Sequence, residues 1–197
     1  MIILTVHTSQ SQSKDYNDLW KKVEKLENDG LPKSALDIVN QIAIQAEKDK
    51  NAPQQIKTLI YQSKYAMTLE EEAQLKVMDD FKKAIASSEA PTTNVLENML
   101  ATMYWQYFQQ NRWKFYNRTN TASKVDATDF QTWDLQTLFD EIQLQFQKSL
   151  ANETLLQQTK LEGYGAILTE QKGSKTFRPT LYDLLAHNAL EFYESDE

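Results

Sequence analysis

Apolar side chains recur every three to four positions along most of the chain, the period of a helix that buries one face. Tyr16, Leu19, Trp20, Val23 and Leu26 make the first such stripe, which predicts a helix from an Asp15 N-cap to Asp29. Gly30 stops it and Leu31-Pro32 starts the next helix, whose stripe is Ala35, Ile38, Val39, Ile42 and Ala46. So short a gap folds the two into an antiparallel hairpin over about 15–50. A second hairpin is expected over about 53–88. One arm from Pro53 uses Ile56, Leu59, Ile60 and Ser63 or Ala66; the other, from about Glu70, uses Leu75, Met78, Phe81 and Ile85. The pattern then predicts a long aromatic helix over about 91–116 and another over about 129–150, with Thr128 and Gln131 as its capping box. Residues 159–178 hold three of the four glycines and read as a surface loop. A final helix over 179–194 buries Leu181, Leu184, Leu185, Ala189 and Phe192. Each of the four prolines, Pro32, Pro53, Pro91 and Pro179, stands where an apolar stripe begins, as expected of residues favoured in a first turn.

This predicts an all-α fold of antiparallel helix hairpins, stacked as an irregular tetratricopeptide-like array. The hairpins begin about 38 residues apart, near the period of helical-repeat families, although the glycine and tyrosine of the tetratricopeptide consensus are not in place. Residues 1–14 read as a disordered tail or a signal-peptide remnant, because a short apolar start without a basic residue runs into Thr8-Ser9-Gln10-Ser11-Gln12-Ser13. Residues 15–197 read as one helical domain. The last helix has no capping segment after it, which suggests a module cut from a longer protein.

Composition narrows the functions. A net charge of −7, with only three arginines (Arg112, Arg118, Arg178), disfavours nucleic acid and anionic lipid. The absence of cysteine removes disulfides, zinc thiolates and thiol catalysis. No apolar run is long enough for a membrane span. There is no Walker loop, no His-Glu-x-x-His and no Gly-x-Ser-x-Gly, and Gly163-Tyr164-Gly165 lacks the third glycine of a dinucleotide loop. No cofactor, metal or catalytic residue is therefore assigned, and the chain reads as a non-enzyme.

Two groups stand out as candidate chemistry. Residues 104–118 are densest in aromatics. One face continues Leu96, Leu100, Met103, Tyr104 and Tyr107, and a second collects Trp105, Phe108, Arg112 and Phe115. A helix apolar on two sides is normally enclosed between layers. The alternative is a glycan- or peptide-binding groove in which those four residues stack and hydrogen-bond. Asp183, His187 and Glu191 share one helix face, which suits a solvated ion-pair row better than a metal or general-base site. Asn117-Arg118-Thr119 and Asn152-Glu153-Thr154 are formal glycosylation sequons.

The stretch Tyr104-Trp105-Gln106-Tyr107-Phe108-Gln109-Gln110-Asn111-Arg112-Trp113-Lys114-Phe115-Tyr116-Asn117-Arg118-Thr119 resembles a region near the start of some large bacterial alpha-2-macroglobulin family proteins. So do Tyr16-Asn17-Asp18-Leu19-Trp20, Gly30-Leu31-Pro32-Lys33-Ser34-Ala35-Leu36 and Arg178-Pro179-Thr180-Leu181-Tyr182-Asp183-Leu184-Leu185-Ala186-His187, in the expected order. The resemblance implies a periplasmic or cell-envelope protease-inhibiting protein, whose trapping is done by β-sandwich domains, a bait region and often a Cys-x-Glu-Gln thioester. This chain has no cysteine and carries none of these, so no functional residue transfers. The expectation is an N-terminal helical interaction module that contacts its own downstream domains or a partner protein. Composition alone suits a cytoplasmic protein equally well, and it leaves the oligomeric state open.

Overall fold

A computed structural model of the chain describes residues 7–116, 126, 128–169 and 173–195. Among them there is no β-strand; only an isolated antiparallel bridge joins Lys160 to Thr180. The expected all-α class holds. The chain divides into two compact units, Met1–Ala73 and Gln74–Glu197, where the hydrophobic pattern suggests one domain.

The first unit holds α1 (His7–Asn28), α2 (Pro32–Lys48) and α3 (Ala52–Leu69). Helix α1 begins at His7, inside the 1–14 stretch expected as a disordered tail or signal-peptide remnant, and residues 1–6 of that stretch lie outside the described residues. Tyr16, Trp20, Val23, Ala35, Val39, Ile42, Ala46 and Tyr65 form the core, with Leu19, Leu26 and Ile38 packed on its edge. Both connections are Schellman turns. At the first, Gly30 takes φ 71° while its N–H and that of Leu31 donate to the carbonyls of Glu27 and Leu26. At the second, Lys50 takes φ 52° and the N–H groups of Lys50 and Asn51 donate to Glu47 and Ala46. Asn51 then caps α3, its Oδ1 accepting from Gln54 N.

Polar ties cross this core at its rim. Tyr16 donates to Asp49 Oδ2 at 2.8 Å, Trp20 Nε1 to Gln54 Oε1 at 2.7 Å, and Tyr65 to Glu27 Oε1 at 2.6 Å. Lys57 Nζ lies 4.1 Å from the centre of the Trp20 ring, a cation–π contact.

The second unit holds α4 (Ala73–Ser87, its first residue at the boundary), α5 (Thr92–Tyr116), α6 (Leu135–Ser149), α7 (Glu153–Gln158), α8 (Ser174–Phe177) and α9 (Leu181–Tyr193). Helices α5 and α6 form its main packed pair, and α9 contacts α5 and α7. The hairpin expected over about 53–88 is thus shared out: α3 lies in the first unit, against α2, and α4 in the second. The expected Thr128 cap is also replaced. The Thr128 N–H and hydroxyl are both taken by Asp126 Oδ1, and Asp129 and Asp134 cap the following 3-10 turn (Phe130–Thr132) and α6. The segment expected as a loop holds a 3-10 turn over Leu161–Tyr164 and the short α8. Pro179 precedes α9 by two positions, and Thr180 caps it in a full capping box with Asp183.

Candidate functional site

The second unit gathers every sequence-level candidate among the described residues. Helix α5 is buried on two faces, as its pattern suggests. On one, Tyr104 meets Phe130 and Trp133 edge-on or tilted at 5.4 and 5.7 Å. On the other, Trp105 stacks on Phe108 at 5.6 Å and meets Phe192 of α9 edge-on at 5.0 Å. Phe108 meets Phe139 of α6 edge-on at 5.0 Å. At Asn111 the helix departs to φ −122°, and the Asn111 amide donates to the Tyr107 carbonyl. Phe115, past this point on the same face, packs on Phe108, 5.6 Å between centres.

Trp105, Phe108 and Phe115 are therefore all buried, leaving 9%, 1% and 3% of their surface exposed. Of the four proposed groove residues only Arg112 is exposed, with its guanidinium 5.7 Å over the Phe108 ring. Trp113 beside it is 64% exposed. The rings form core, and among the described residues of the segment Gln106, Gln109, Gln110, Arg112 and Trp113 are exposed, with Lys114 Nζ 5.6 Å over the Trp113 ring.

Asp183, His187 and Glu191 do lie along one face of α9, but their bonds point elsewhere. Asp183 Oδ2 accepts from the N–H and hydroxyl of Thr180, which fixes it as a cap. His187 Nε2 lies between the Arg178 guanidinium and Glu191 Oε1, the latter at 3.1 Å. No group of three potential metal ligands is found among the described residues.

The polar groups that converge in the interior are asparagines that sequence reasoning passed over. Asn98 of α5 is 1% exposed; its Nδ2 donates to Ser149 Oγ and the Leu185 carbonyl, and its Oδ1 accepts from Asn188 of α9 at 2.8 Å. Asn94, one turn earlier, donates to the carbonyls of Ser149 and Ala151 at the end of α6. One pair of amides thus ties three helices together. Burial pushes the nearby Glu97 carboxyl above the usual range, against the opposing pull of Lys148. The signal available in the sequence was the i, i+4 pair of asparagines inside an apolar run.

Beside this knot lies a cavity of about 130 Å³, with Val95, Met99, Leu181 and Leu184 among its walls. The 3-10 turn forms one side of it, with Tyr164 in the lining, and the pocket stays partly open to solvent. That turn is held in place by Leu181 N donating to the Thr159 carbonyl at 2.8 Å and by Ile167 N donating to the Tyr164 carbonyl at 2.9 Å.

No known protein family, curated protein or solved structure matches this chain.

Proposed function

We propose that the chain is a non-catalytic helical interaction module, acting through its helix surfaces. One observation carries the reading: the side chains best suited to chemistry are committed to structure, with Asp183 in a cap, Asn94 and Asn98 in helix ties and the Trp105 group in the core. What remains outward includes apolar side chains on α9, where Leu190 and Tyr193 are 53% and 49% exposed. The short turns joining α1, α2 and α3 support a tetratricopeptide-like reading of the hairpins. The resemblance to the start of bacterial alpha-2-macroglobulin family proteins supplies a setting, a module at the periplasmic or envelope end of a protease-inhibiting protein. In that setting its partner is its own downstream domains or a second protein.

The double variant Leu190→Asp, Tyr193→Asp tests the contact surface. It is expected to keep the helical circular-dichroism signal and lose a protein that the unaltered chain retains in crosslinking. Retention by both, or by neither, counts against the reading. The setting is tested at the locus: β-sandwich macroglobulin domains are expected in the same or the next reading frame, and an unrelated neighbour removes it.

A second reading has one observation in its favour, the exposed Trp113 beside the exposed Arg112. An exposed ring suits stacking on a sugar or a peptide, with Arg112 and Lys114 as the cations of the same turn. In this reading Trp113→Ala abolishes binding on a glycan or peptide array; an array blank for the unaltered chain sinks it.

A further inference from the structure

Helix α9 carries two apolar faces, and its own core takes up one of them. Leu181, Leu185, Ala189 and Phe192 are buried. Tyr182, Ala186, Leu190 and Tyr193 stand at i, i+4, i+8 and i+11, which sets them in a second stripe along the helix. Tyr182 and Ala186 are half-buried, and Leu190 and Tyr193 keep about half of their surface exposed.

The edge of this stripe away from the core is acidic. Asp183, Glu191 and Glu194 lie along it, Asp196 and Glu197 follow in sequence, and α9 contains no Lys or Arg. Arg178 reaches His187 from outside the helix, so one guanidinium stands against several carboxylates. Asp183 is already committed to the Thr180 cap. Glu191 and Glu194, both exposed, are the outward charges, one beside Leu190 and one a turn beyond it.

Dimensions and charge together say what fits. Eleven positions at about 1.5 Å each make the stripe about 17 Å long, and a helix about 10 Å wide would cover roughly 170 Å² of it. A standard interface takes about 800 Å² from each partner, so a folded domain gains little here, whereas one helix matches the stripe in length and width. A second copy of α9 laid antiparallel would also set acidic edge against acidic edge.

We propose that this flank of α9 binds a single amphipathic helix with a basic edge. Its apolar side chains would lie on the Tyr182–Tyr193 stripe, and its Lys or Arg side chains opposite Glu191 and Glu194. The proposal rests on the interaction-module reading and names the chemistry of the partner.

The probes are two dye-labelled peptides of roughly 18 residues, long enough to hold a helix. They share one leucine stripe and differ only in edges of lysine or glutamate. Anisotropy titration with the full chain is expected to show saturable binding of the lysine-edged peptide, roughly tenfold tighter than its twin at low salt, with the gap closing as salt is raised. Glu191→Lys with Glu194→Lys should reverse the order. Both sites are exposed, and lysines near a helix end suit its dipole, so the helical circular-dichroism signal is expected to persist. Glu194→Gln, which should narrow the gap about threefold, serves if it does not. Leu190→Asp with Tyr193→Asp adds negative charge yet should lose the lysine-edged peptide, because a purely ionic attraction would grow instead. Twins that bind alike, a lysine-edged peptide that does not saturate, or a lysine preference that survives the charge reversal overturns the proposal. The module reading keeps its own test: a crosslinked protein lost on Leu190→Asp, Tyr193→Asp while the twins bind alike means a contact surface whose partner is not basic.

Discussion

At the scale of single residues, aromatic side chains and their neighbours decide most of the energetics. Trp105 touches Phe108, Phe139 and Phe192, so one ring joins α5, α6 and α9. Trp105→Ala leaves a hole that three helices must close, and a loss of about 3–5 kcal/mol is expected in urea unfolding. A groove ring would cost far less stability, so the same measurement separates the two roles of segment 104–118. In the first unit the informative residue is Glu27. Burial works against its charge, but hydrogen bonds from Lys64 and Tyr65 outweigh it and hold the carboxyl below its ordinary value of 4.5. A folded-state pKa below the unfolded one means stability that is fully present above pH 4.5 and is lost as pH falls through the folded value. Glu27→Gln is expected to lower the urea midpoint at neutral pH and to flatten its decline on acidification. Equal slopes for the two chains would show that Glu27 contributes nothing to acid lability.

At the scale of elements, the turns separate what a pattern can say from what it cannot. The end of α1 was legible because Gly30 occupies the left-handed position that a Schellman turn requires. The end of α2 makes the same turn with a lysine, and nothing in Glu47-Lys48-Asp49-Lys50-Asn51 announces it beyond a fading stripe. A non-glycine side chain at φ 52° costs about 1–2 kcal/mol, less the extra freedom glycine would have when unfolded. Lys50→Gly is therefore expected to raise stability by about 0.5–1 kcal/mol, and Gly30→Ala to lower it by a similar amount. A destabilised Lys50→Gly chain would mean that the lysine side chain itself supports the turn. The cap of α6 was misread for a related reason. Threonine and aspartate are both good caps, and only the structure shows Thr128 already committed to Asp126. The α9 cap lay within one residue of its proline signal, and its Thr180–Asp183 box was there to be read.

At the scale of the whole molecule, helix class and the buried faces were legible because a 3.6-residue stripe states which side is hidden. It does not state against what. Helices α3 and α4 both carry a stripe, yet α3 pairs with α2 and α4 falls in the other unit. The asparagine knot was hidden for the same reason: Asn98 and Asn188 lie 90 positions apart, and only packing brings them together. The two-unit division has a measurable consequence. Ile42 is fully buried in the first core and Ile142 in the second. Ile→Val at either site should cost about 1 kcal/mol, which is close to a fivefold rise in the exchange of amides that open with that core. If each unit opens on its own, Ile42→Val speeds exchange in α1–α3 and spares α5, α6 and α9, while Ile142→Val does the reverse. If both variants speed exchange evenly along the chain, the units unfold as one cooperative body. The isoleucines are matched in burial and the substitution removes the same methyl group from each, so a difference in pattern reports the coupling between the units rather than the severity of the change.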